Sequence, residues 1–183
     1  GKIIFESNLD LSKKMIRESL FSFIGESEQI PPFFSALKYK GKPLYKYARE
    51  GQFIKKPARK IRIKEINNYK YSNKVCSFTV YCSKGTYIRS LARDLGEKLK
   101  CGAHMIALKR IRQHNFNLSD AVNILEISNE KIISIEEAFN NFKKIIINSE
   151  DAKKFTNGGK KIYNDNPDNL YRIANNEGIF LGI

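Results

Sequence analysis

Residues 82–96 combine an arginine with an aromatic residue at the start of a predicted helix. The pattern predicts a strand end, a glycine turn and a helix with Thr86 as its N-cap, which places Arg89 in the first helical turn. Because the helix dipole concentrates partial positive charge there, a guanidinium is disfavoured by about 0.3–1 kcal/mol unless an anion faces it. Arg89 beside Tyr87 therefore predicts a carboxylate or phosphate partner. A solvated arginine next to a core tyrosine is the alternative interpretation, and the segment alone does not decide between them.

A strongly basic segment precedes this helix. The chain carries 33 basic and 19 acidic residues, and the window from Lys38 to Lys64 holds 11 basic residues against one acid, Glu50. Charge of this sign suits a polyanion or an anionic membrane surface. Cations interleaved with aromatic rings are typical of binding to single-stranded or looped RNA, since phosphates attract the cations and unstacked bases stack on the rings. The rings here are Tyr39, Tyr45, Tyr47 and Phe53. A solvated lysine-rich face is the alternative.

Neither a metal site nor a cofactor site is predicted. The histidines and cysteines lack the spacing of zinc ligands, and no glycine-rich phosphate loop occurs. His104 is interpreted as a positioned residue or one close to RNA rather than as a ligand. Cys76 and Cys82 would lie about 20 Å apart in a predicted strand, at about 3.3 Å per residue, which is too far for a disulfide. The absence of a signal-like segment and of an apolar run of about 20 residues adds to the expectation of a reduced, cytoplasmic protein without a membrane partner.

The elements that must position these residues follow from periodicity. Apolar spacing predicts a helix from Ser12 that ends at Gly25, and residues 2–6 as the tail of a strand. Residues 29–58 contain four prolines and several aromatic residues and are interpreted as an insertion. Alternation predicts strands at 59–66 and 75–82. After the helix from Tyr87, which is expected to end at Gly102, a strand is predicted over 104–112.

The last third of the chain is predicted to contain shorter elements. Two short helices are expected near 119–126 and 135–142, with Ser134 and Glu137 as a capping box for the second. A new unit is predicted to begin near Ile145, which divides the chain into 1–144 and 145–183. Within it we expect a helix capped by Ser149 that ends at Phe155. Strands are expected at 170–174 and 178–183, around a hairpin turn.

Three blocks between residues 29 and 110 stand in a recognisable order. The first is Gln29-Ile30-Pro31-Pro32, followed by Ser35-Ala36-Leu37-Lys38, Gly41-Lys42, Leu44-Tyr45 and Tyr47-Ala48-Arg49. The second is Ser83-Lys84-Gly85-Thr86-Tyr87-Ile88-Arg89-Ser90-Leu91, continued by Asp94-Leu95-Gly96 and Cys101-Gly102-Ala103-His104. The third is Ala107-Leu108-Lys109-Arg110. Together they resemble the bacterial tRNA pseudouridine synthase B family, the tRNA pseudouridine-55 synthases.

The resemblance implies a fold and a reaction. The fold class is α+β, with a mixed, mainly antiparallel sheet, flanking helices and a small β-rich PUA-like RNA-binding unit, which would be truncated here at 145–183. The implied reaction converts a T-loop uridine, position 55 of the tRNA, to pseudouridine. The base is flipped out, an aspartate acts as nucleophile, and no cofactor is used. The partner would be the tRNA T stem-loop, and the full-length protein is expected to be monomeric.

The resemblance also implies roles for particular residues. Arg89 would face the catalytic aspartate, and Tyr87 and Leu108 would line the base pocket. Residues 29–58 would form a thumb-like insertion that closes on the T loop. The candidate RNA-binding residues are Lys38, Lys42, Tyr45, Arg49, Lys84, His104 and Arg110.

The sequence departs from the family at the nucleophile. The family's aspartate lies in a Gly-x-Leu-Asp-Pro motif, and none of the six aspartates follows that pattern. They are Asp10, Asp94, Asp120, Asp151, Asp165 and Asp168. We therefore expect a fragment that lacks the N-terminal catalytic segment, is inactive alone and self-associates through newly exposed surface.

Three other classes of function remain open at this point. A non-catalytic module that binds T-arm RNA would keep the insertion without the nucleophile. The archaeal and eukaryotic guide-RNA pseudouridylases share the Gly-Thr-Tyr-Ile-Arg block, although the long Ile-Pro-Pro segment favours the stand-alone bacterial type. A structural basic protein would leave Arg89 unexplained.

Overall fold

The computed structural model describes residue 7 and residues 9–159 and 170–183. The chain forms two compact units, Gly1–Leu108 and Lys109–Ile183. The predicted boundary at 144/145 falls inside the second unit. The predicted strand at 2–6 lies outside the described residues.

The first unit contains eight helices and strands among its described residues. In chain order they are α1 (Lys13–Phe21), β1 (Gly25–Gln29), β2 (Lys38–Tyr39), β3 (Lys42–Pro43), α2 (Leu44–Arg49), β4 (Arg59–Ser72), β5 (Val75–Cys82) and α3 (Ile88–Lys98). Three strands form an antiparallel sheet in the order β1-β4-β5. Strands β2 and β3 form a separate hairpin.

Helix α1 begins where the sequence predicts and ends earlier. The Ser12 hydroxyl accepts the backbone N–H of Met15 at 3.2 Å, which satisfies one unpaired donor of the first turn. Ile16 and Leu20, four residues apart, are buried. The predicted end at Gly25 is wrong, because the helix stops at Phe21 and Gly25, with φ of 116°, opens β1.

Strand β4 is longer than predicted because it contains two irregularities. The register against β5 shifts between Ile63 and Glu65 and again between Asn67 and Lys70. Each shift interrupts the period-two alternation that identifies a strand in sequence. The strand consequently continues six residues past the predicted end at Ile66.

The core of this unit lies between one face of the sheet and the two long helices. It is formed by Leu20 of α1, Ile63 and Ile66 of β4, and Leu91 and Leu95 of α3. The alternate residues of β5 pack against it, as the sequence predicts for Cys76, Phe78, Val80 and Cys82. Burial raises the pKa of the Cys76 thiol. The three cysteines are free thiols.

Helix α3 starts one residue later than predicted. Its N-cap is Tyr87, whose side chain makes no capping hydrogen bond, so the prediction of Thr86 as N-cap is wrong. Thr86 instead lies 3.3 Å, hydroxyl to hydroxyl, from Ser83 in the preceding turn. Arg89 remains in the first turn, as the second helical residue. The helix ends at Lys98 rather than at Gly102.

The chain folds back tightly on the end of α3. The Gly96 carbonyl accepts the N–H groups of Cys101 and Gly102, each at 3.1 Å. A Cβ at Gly96 would lie 2.1 Å from the backbone nitrogen of Ala103, so only glycine fits there. The strand predicted over 104–112 is wrong: residues 104–111 form no strand, and Arg112–Gln113 pairs with Phe116–Asn117. The alternation of side chains indicates which of them would share a face of a strand. A strand also needs a neighbouring strand for its backbone hydrogen bonds, and the described residues provide none for 104–111.

The second unit contains short elements. In chain order its strands and α-helices are β6 (Arg112–Gln113), β7 (Phe116–Asn117), α4 (Ile135–Ala138), β8 (Lys144–Ile146), α5 (Ser149–Thr156), β9 (Arg172–Ala174) and β10 (Phe180–Gly182). Strand β9 pairs in parallel with β8 and antiparallel with β10. The predicted helix at 119–126 is replaced by 3₁₀ turns at Leu118–Asp120 and Ile124–Glu126.

Capping in the second unit follows the sequence in part. The Ser134 hydroxyl accepts the N–H of Glu137 at 3.1 Å, as predicted. The N-cap of α5 is Asn148 instead of Ser149, and its side chain accepts the N–H of Asp151 at 2.8 Å. The predicted turn before β10 is present, with Gly178 at φ of 80°. The described residues thus form an α+β structure with mainly antiparallel sheets, as the sequence predicts.

Candidate functional site

The N-terminal end of α3 is fastened to the residues that open the insertion. The side chain of Gln29 is buried, with 3% exposure. Its Oε1 accepts the backbone N–H of Tyr87 at 2.8 Å, and its Nε2 donates to the Tyr87 carbonyl at 3.2 Å. Both polar ends of the carboxamide therefore bind one residue, the N-cap of α3.

Two more side chains of α3 bind the same stretch of the insertion. The Ser90 hydroxyl donates to the Ile30 carbonyl at 3.0 Å, and an Arg93 nitrogen donates to that carbonyl at 3.1 Å. Arg93 also forms an ion pair with Asp94 at 2.6 Å. Asp94 thus neutralises a neighbour on its own helix.

Arg89 is exposed at the start of α3. Its Nη2 donates to the carbonyl oxygen of Phe34 at 2.5 Å. Among the described residues, no carboxylate is recorded within ion-pair distance of Arg89. The carboxylate or phosphate partner that the sequence indicates for Arg89 therefore stays a prediction.

The insertion has a folded structure of its own. Lys40 and Gly41 both have positive φ, 46° and 79°, and form the two-residue turn between β2 and β3. The hairpin leads directly into α2, where Leu44 and Ala48 are buried. The Leu44 N–H donates to the Leu37 carbonyl at 2.7 Å and so closes the base of the hairpin.

The tyrosines of the insertion pair with cations of the insertion. Tyr39 has the ammonium groups of Lys40 and Lys56 at 5.6 and 5.2 Å from its ring centre. Lys42 lies 4.7 Å from the Tyr47 ring centre. The guanidinium of Arg49 lies 5.3 Å from the Tyr45 ring centre. Such pairs contribute about 0.5–1 kcal/mol each at exposed sites, and they hold the cationic groups in defined positions on the surface.

The structure distinguishes among the RNA-binding candidates of the insertion. Lys38 and Arg49 are exposed, whereas Tyr45 is half-buried. Lys42 is half-buried and binds both carboxylate oxygens of Glu50, at 2.5 and 2.6 Å. Its charge is therefore already neutralised in the folded chain.

We expect Glu50→Gln to strengthen RNA binding, because it frees the Lys42 ammonium for a phosphate. The affinity for a T-arm stem-loop should rise a few-fold, and the salt dependence of log K should steepen by about one. Fluorescence anisotropy over a series of salt concentrations measures both. Glu18→Gln on α1 removes the same charge from an exposed carboxylate and serves as the control. Equal gains from both variants would show a general charge effect and contradict this prediction.

The remaining candidates lie outside this arrangement. Lys84 is exposed in the turn before α3, and His104 is exposed after it. Leu108 is 62% exposed, and its role in a base pocket stays a prediction. Arg110 belongs to the second unit, where it donates to the Gln113 side chain.

Sequence reasoning missed the side chains that connect the insertion to α3. The sequence motifs include Gln29 and Ser90, but no local pattern assigns either of them, or Arg93, to the site. The available signal is a glutamine directly before Ile-Pro-Pro. The identity of its partner, 58 residues away, could not be deduced from local spacing.

A shallow depression of about 410 Å³ lies on β1 and β4. It is lined by charges of both signs, including Glu26, Glu28, Lys60 and Arg62, and by Ser83. It has no exposed aromatic residue for base stacking. No group of three or more potential metal ligands occurs within the described ranges. None of the helices described is long and apolar enough to cross a bilayer.

Two solved structures share the fold of this chain. The chain superposes with a TM-score of 0.70 on a solved structure titled "Crystal Structure of a Cbf5-Nop10-Gar1 Complex", at 22% identity over 93% of this chain and 54% of that one. A second structure, titled "Structure of H/ACA RNP bound to a substrate RNA containing 2'-deoxyuridine", gives 0.69 at 18% identity, over 96% of this chain and 54% of that one. This is the pseudouridine synthase fold.

Sequence comparison gives the family to which the chain belongs. The chain belongs to the TruB family: the model of the "TruB family pseudouridylate synthase (N terminal domain)" matches residues 1–88, and that of the "tRNA pseudouridylate synthase B C-terminal domain" matches 89–152. The resemblance predicted from the three sequence blocks is confirmed. The assignment of 145–183 to a PUA-like unit stays a prediction.

Curated relatives named "tRNA pseudouridine synthase B" match all or most of the chain. The protein of Clostridium perfringens strain 13 is 41% identical over 195 residues, which cover 100% of this chain and 66% of the relative. That of Clostridium novyi is 40% identical over 192 residues, with the same coverage of each. That of Thermotoga maritima is 37% identical over 164 residues, 87% of this chain and 53% of the relative. The chain spans 66% of the length of the first of these relatives.

Proposed function

We propose that the protein to which this chain belongs converts a T-loop uridine of tRNA, position 55, to pseudouridine. The observation that carries the proposal is the attachment of the basic insertion to the α3 terminus that bears Tyr87 and Arg89. The family and the named relatives support the reaction class. The reaction proposed breaks the glycosidic N–C bond and forms a C–C bond between the sugar and a carbon of the same ring. That carbon loses its proton to solvent and the freed ring nitrogen gains one, so no redox partner or cofactor is required.

In this proposal the insertion holds the RNA. The exposed ammonium and guanidinium groups of Lys38 and Arg49 supply contacts to phosphates. Exposed aromatic rings are available for unstacked bases, since Phe34 and Phe53 are 48% and 59% exposed. A flipped base is stabilised by stacking and hydrogen bonds in a pocket, for which Tyr87 and Leu108 remain the candidates.

We further propose that the nucleophilic carboxylate is none of the aspartates that the structure describes. Asp94 is paired with Arg93. Asp120 accepts hydrogen bonds from Asn117 and Ser119, which lower its pKa. Neither Asp10 nor Asp151 follows Gly-x-Leu or precedes a proline, and Asp165 and Asp168 lie outside the described residues. An aspartate in the family's Gly-x-Leu-Asp-Pro motif would supply the missing anion opposite Arg89.

The test is tritium release from a T-arm stem-loop whose uridine carries the label on the ring carbon that becomes bonded to the sugar. The full-length protein should release tritium, and the 183-residue chain should bind the same RNA without release. Release by the chain alone would overturn the assignment of the nucleophile. Binding without release by the full-length protein would overturn the enzyme proposal and favour a non-catalytic T-arm binding module.

The proposal also includes a cytoplasmic location and a monomeric full-length protein. Light scattering of the full-length protein tests the monomeric state.

A further inference from the structure

We propose that Gln29 is a positioning residue that couples the RNA-gripping insertion to the catalytic end of α3. The inference rests on the function proposed above and adds a role for a residue that does not contact the substrate. In this account Gln29 holds the Tyr87 backbone, so that Tyr87 and Arg89 keep one orientation toward the pocket.

The geometry of the Gln29 carboxamide is specific to this task. A neutral amide offers an acceptor and a donor on one planar group, and here the two atoms bind the N–H and the carbonyl of one residue. Two bonds to one residue fix the orientation of its backbone as well as its position. Because Gln29 is buried, removal of the side chain would leave the Tyr87 N–H without its recorded partner in a site shielded from water.

The N-cap of α3 depends on this outside support. Tyr87 has extended backbone angles, φ of −95° and ψ of 110°, and no side-chain cap. Helices commonly fix this position with a Ser, Thr, Asp or Asn at the N-cap itself. Here the fixing group comes from the end of β1. Arg89 follows two residues later, so rotation of the cap would displace its guanidinium.

The same end of the insertion is held at two further points. Ser90 and Arg93 share the Ile30 carbonyl, and Arg89 binds the Phe34 carbonyl. Pro31 and Pro32 lie between those two carbonyls and restrict the backbone of the connecting segment. Residues 29–34 therefore move with the first turns of α3. An insertion that closes on RNA transmits its position to Arg89 through this segment.

If Gln29 couples the insertion to α3, its replacement should slow the reaction much more than it weakens RNA binding. In the full-length protein, Gln29→Ala should slow single-turnover tritium release by about 10–100-fold, since a displacement of about 1 Å can cost that much. The dissociation constant of the T-arm complex should change less than threefold, because the basic surface of the insertion is untouched. In the 183-residue chain, amide hydrogen exchange at Tyr87 should be about fivefold or more faster in the variant, from loss of one hydrogen bond.

Gln29→Glu separates positioning from general destabilisation. A protonated glutamic acid donates and accepts as glutamine does, whereas the ionised form turns a negative oxygen toward the Tyr87 carbonyl. Burial raises the pKa of such a carboxyl. The rate relative to wild type should therefore be near normal at low pH and should fall as pH rises through that pKa. Asn67→Asp makes the same change of amide to acid at an exposed site on β4 and should show no such dependence.

The outcomes are distinguishable from failure of the proposed function. If the wild-type full-length protein releases no tritium, the enzyme proposal fails, and the exchange measurement still tests the support of Tyr87. Unchanged exchange at Tyr87 and an unchanged rate in Gln29→Ala would overturn the inference. It would also be overturned by a loss of rate that tracks an equal loss of RNA affinity, with no pH dependence in Gln29→Glu.

Discussion

Arg89→Met in the full-length protein is expected to reduce single-turnover tritium release by about 10²–10³-fold. Loss of one preorganised donor that stabilises developing charge costs about that much in other enzymes. Arg89 is exposed, and its recorded hydrogen bond is to the Phe34 carbonyl, so its removal should cost the fold only about 1 kcal/mol. The measurement therefore combines the rate with urea unfolding, and only the rate should change strongly.

Two further variants sharpen this prediction. Arg89→Lys keeps the charge but loses the planar fork of donors, so an intermediate rate is expected. Arg62→Met removes an exposed arginine of β4 whose nearest carboxylate, on Glu26, lies 3.9 Å away. It should leave the rate within about twofold of wild type, because it changes the charge of the chain without touching α3. A wild-type rate in Arg89→Met would contradict the assignment of Arg89.

The sequence predicts local features of the fold well where one short-range signal determines them. Ser12 and Ser134 act as helix caps, as their positions before apolar periodicity indicate. The alternation of β5 places Phe78 and Val80 on the core side. The predicted N-cap is wrong by one residue, but Arg89 still lies in the first turn of α3, because a helical turn contains more than three residues.

Features that depend on pairing between distant segments could not be predicted in this way. The bulges near Lys64 and Asn68 hide the second half of β4 from any search for period two. Residues 104–111 alternate like a strand, yet alternation cannot supply the neighbouring strand. Gln29 and Tyr87 are 58 residues apart in sequence, and the contact consists of hydrogen bonds between the Gln29 side chain and the Tyr87 backbone.

The family could be recognised from the sequence, although the contacts between distant segments could not be predicted from it. The first two blocks contain side chains at the junction between the insertion and α3, since Gln29 falls within the first block and Arg89 and Ser90 fall within the second. The match to the family models confirms the reading of the blocks. The geometry gives a reason why the first two blocks occur together: the first supplies the Gln29 amide and the Ile30 carbonyl, which bind Tyr87 and Ser90 of the second.

The largest effect on RNA affinity is expected from neutralising three exposed cations of the insertion together. These are Lys38, Lys46 and Arg49, which lie within 12 residues and make no ion pair in the described part of the chain. If each contacts one phosphate, replacement of all three by glutamine should lower the slope of log K against log salt by about 2–3. At about 0.1 M salt the affinity for a T-arm stem-loop should fall on the order of 10²-fold.

Helix α1 offers a matched control for this triple variant. Lys13, Lys14 and Arg17 are exposed, carry the same total charge, and include an arginine stacked at 4.6 Å on Phe21, as Arg49 is on Tyr45. Their replacement by glutamine removes identical charge and the same kind of cation–π contact from a helix outside the insertion. Since long-range attraction depends on total charge and phosphate contacts depend on position, the control should change the slope by less than about one. Equal losses in the two triple variants would show that the insertion contributes charge alone, and the thumb-like role of residues 29–58 would then be rejected.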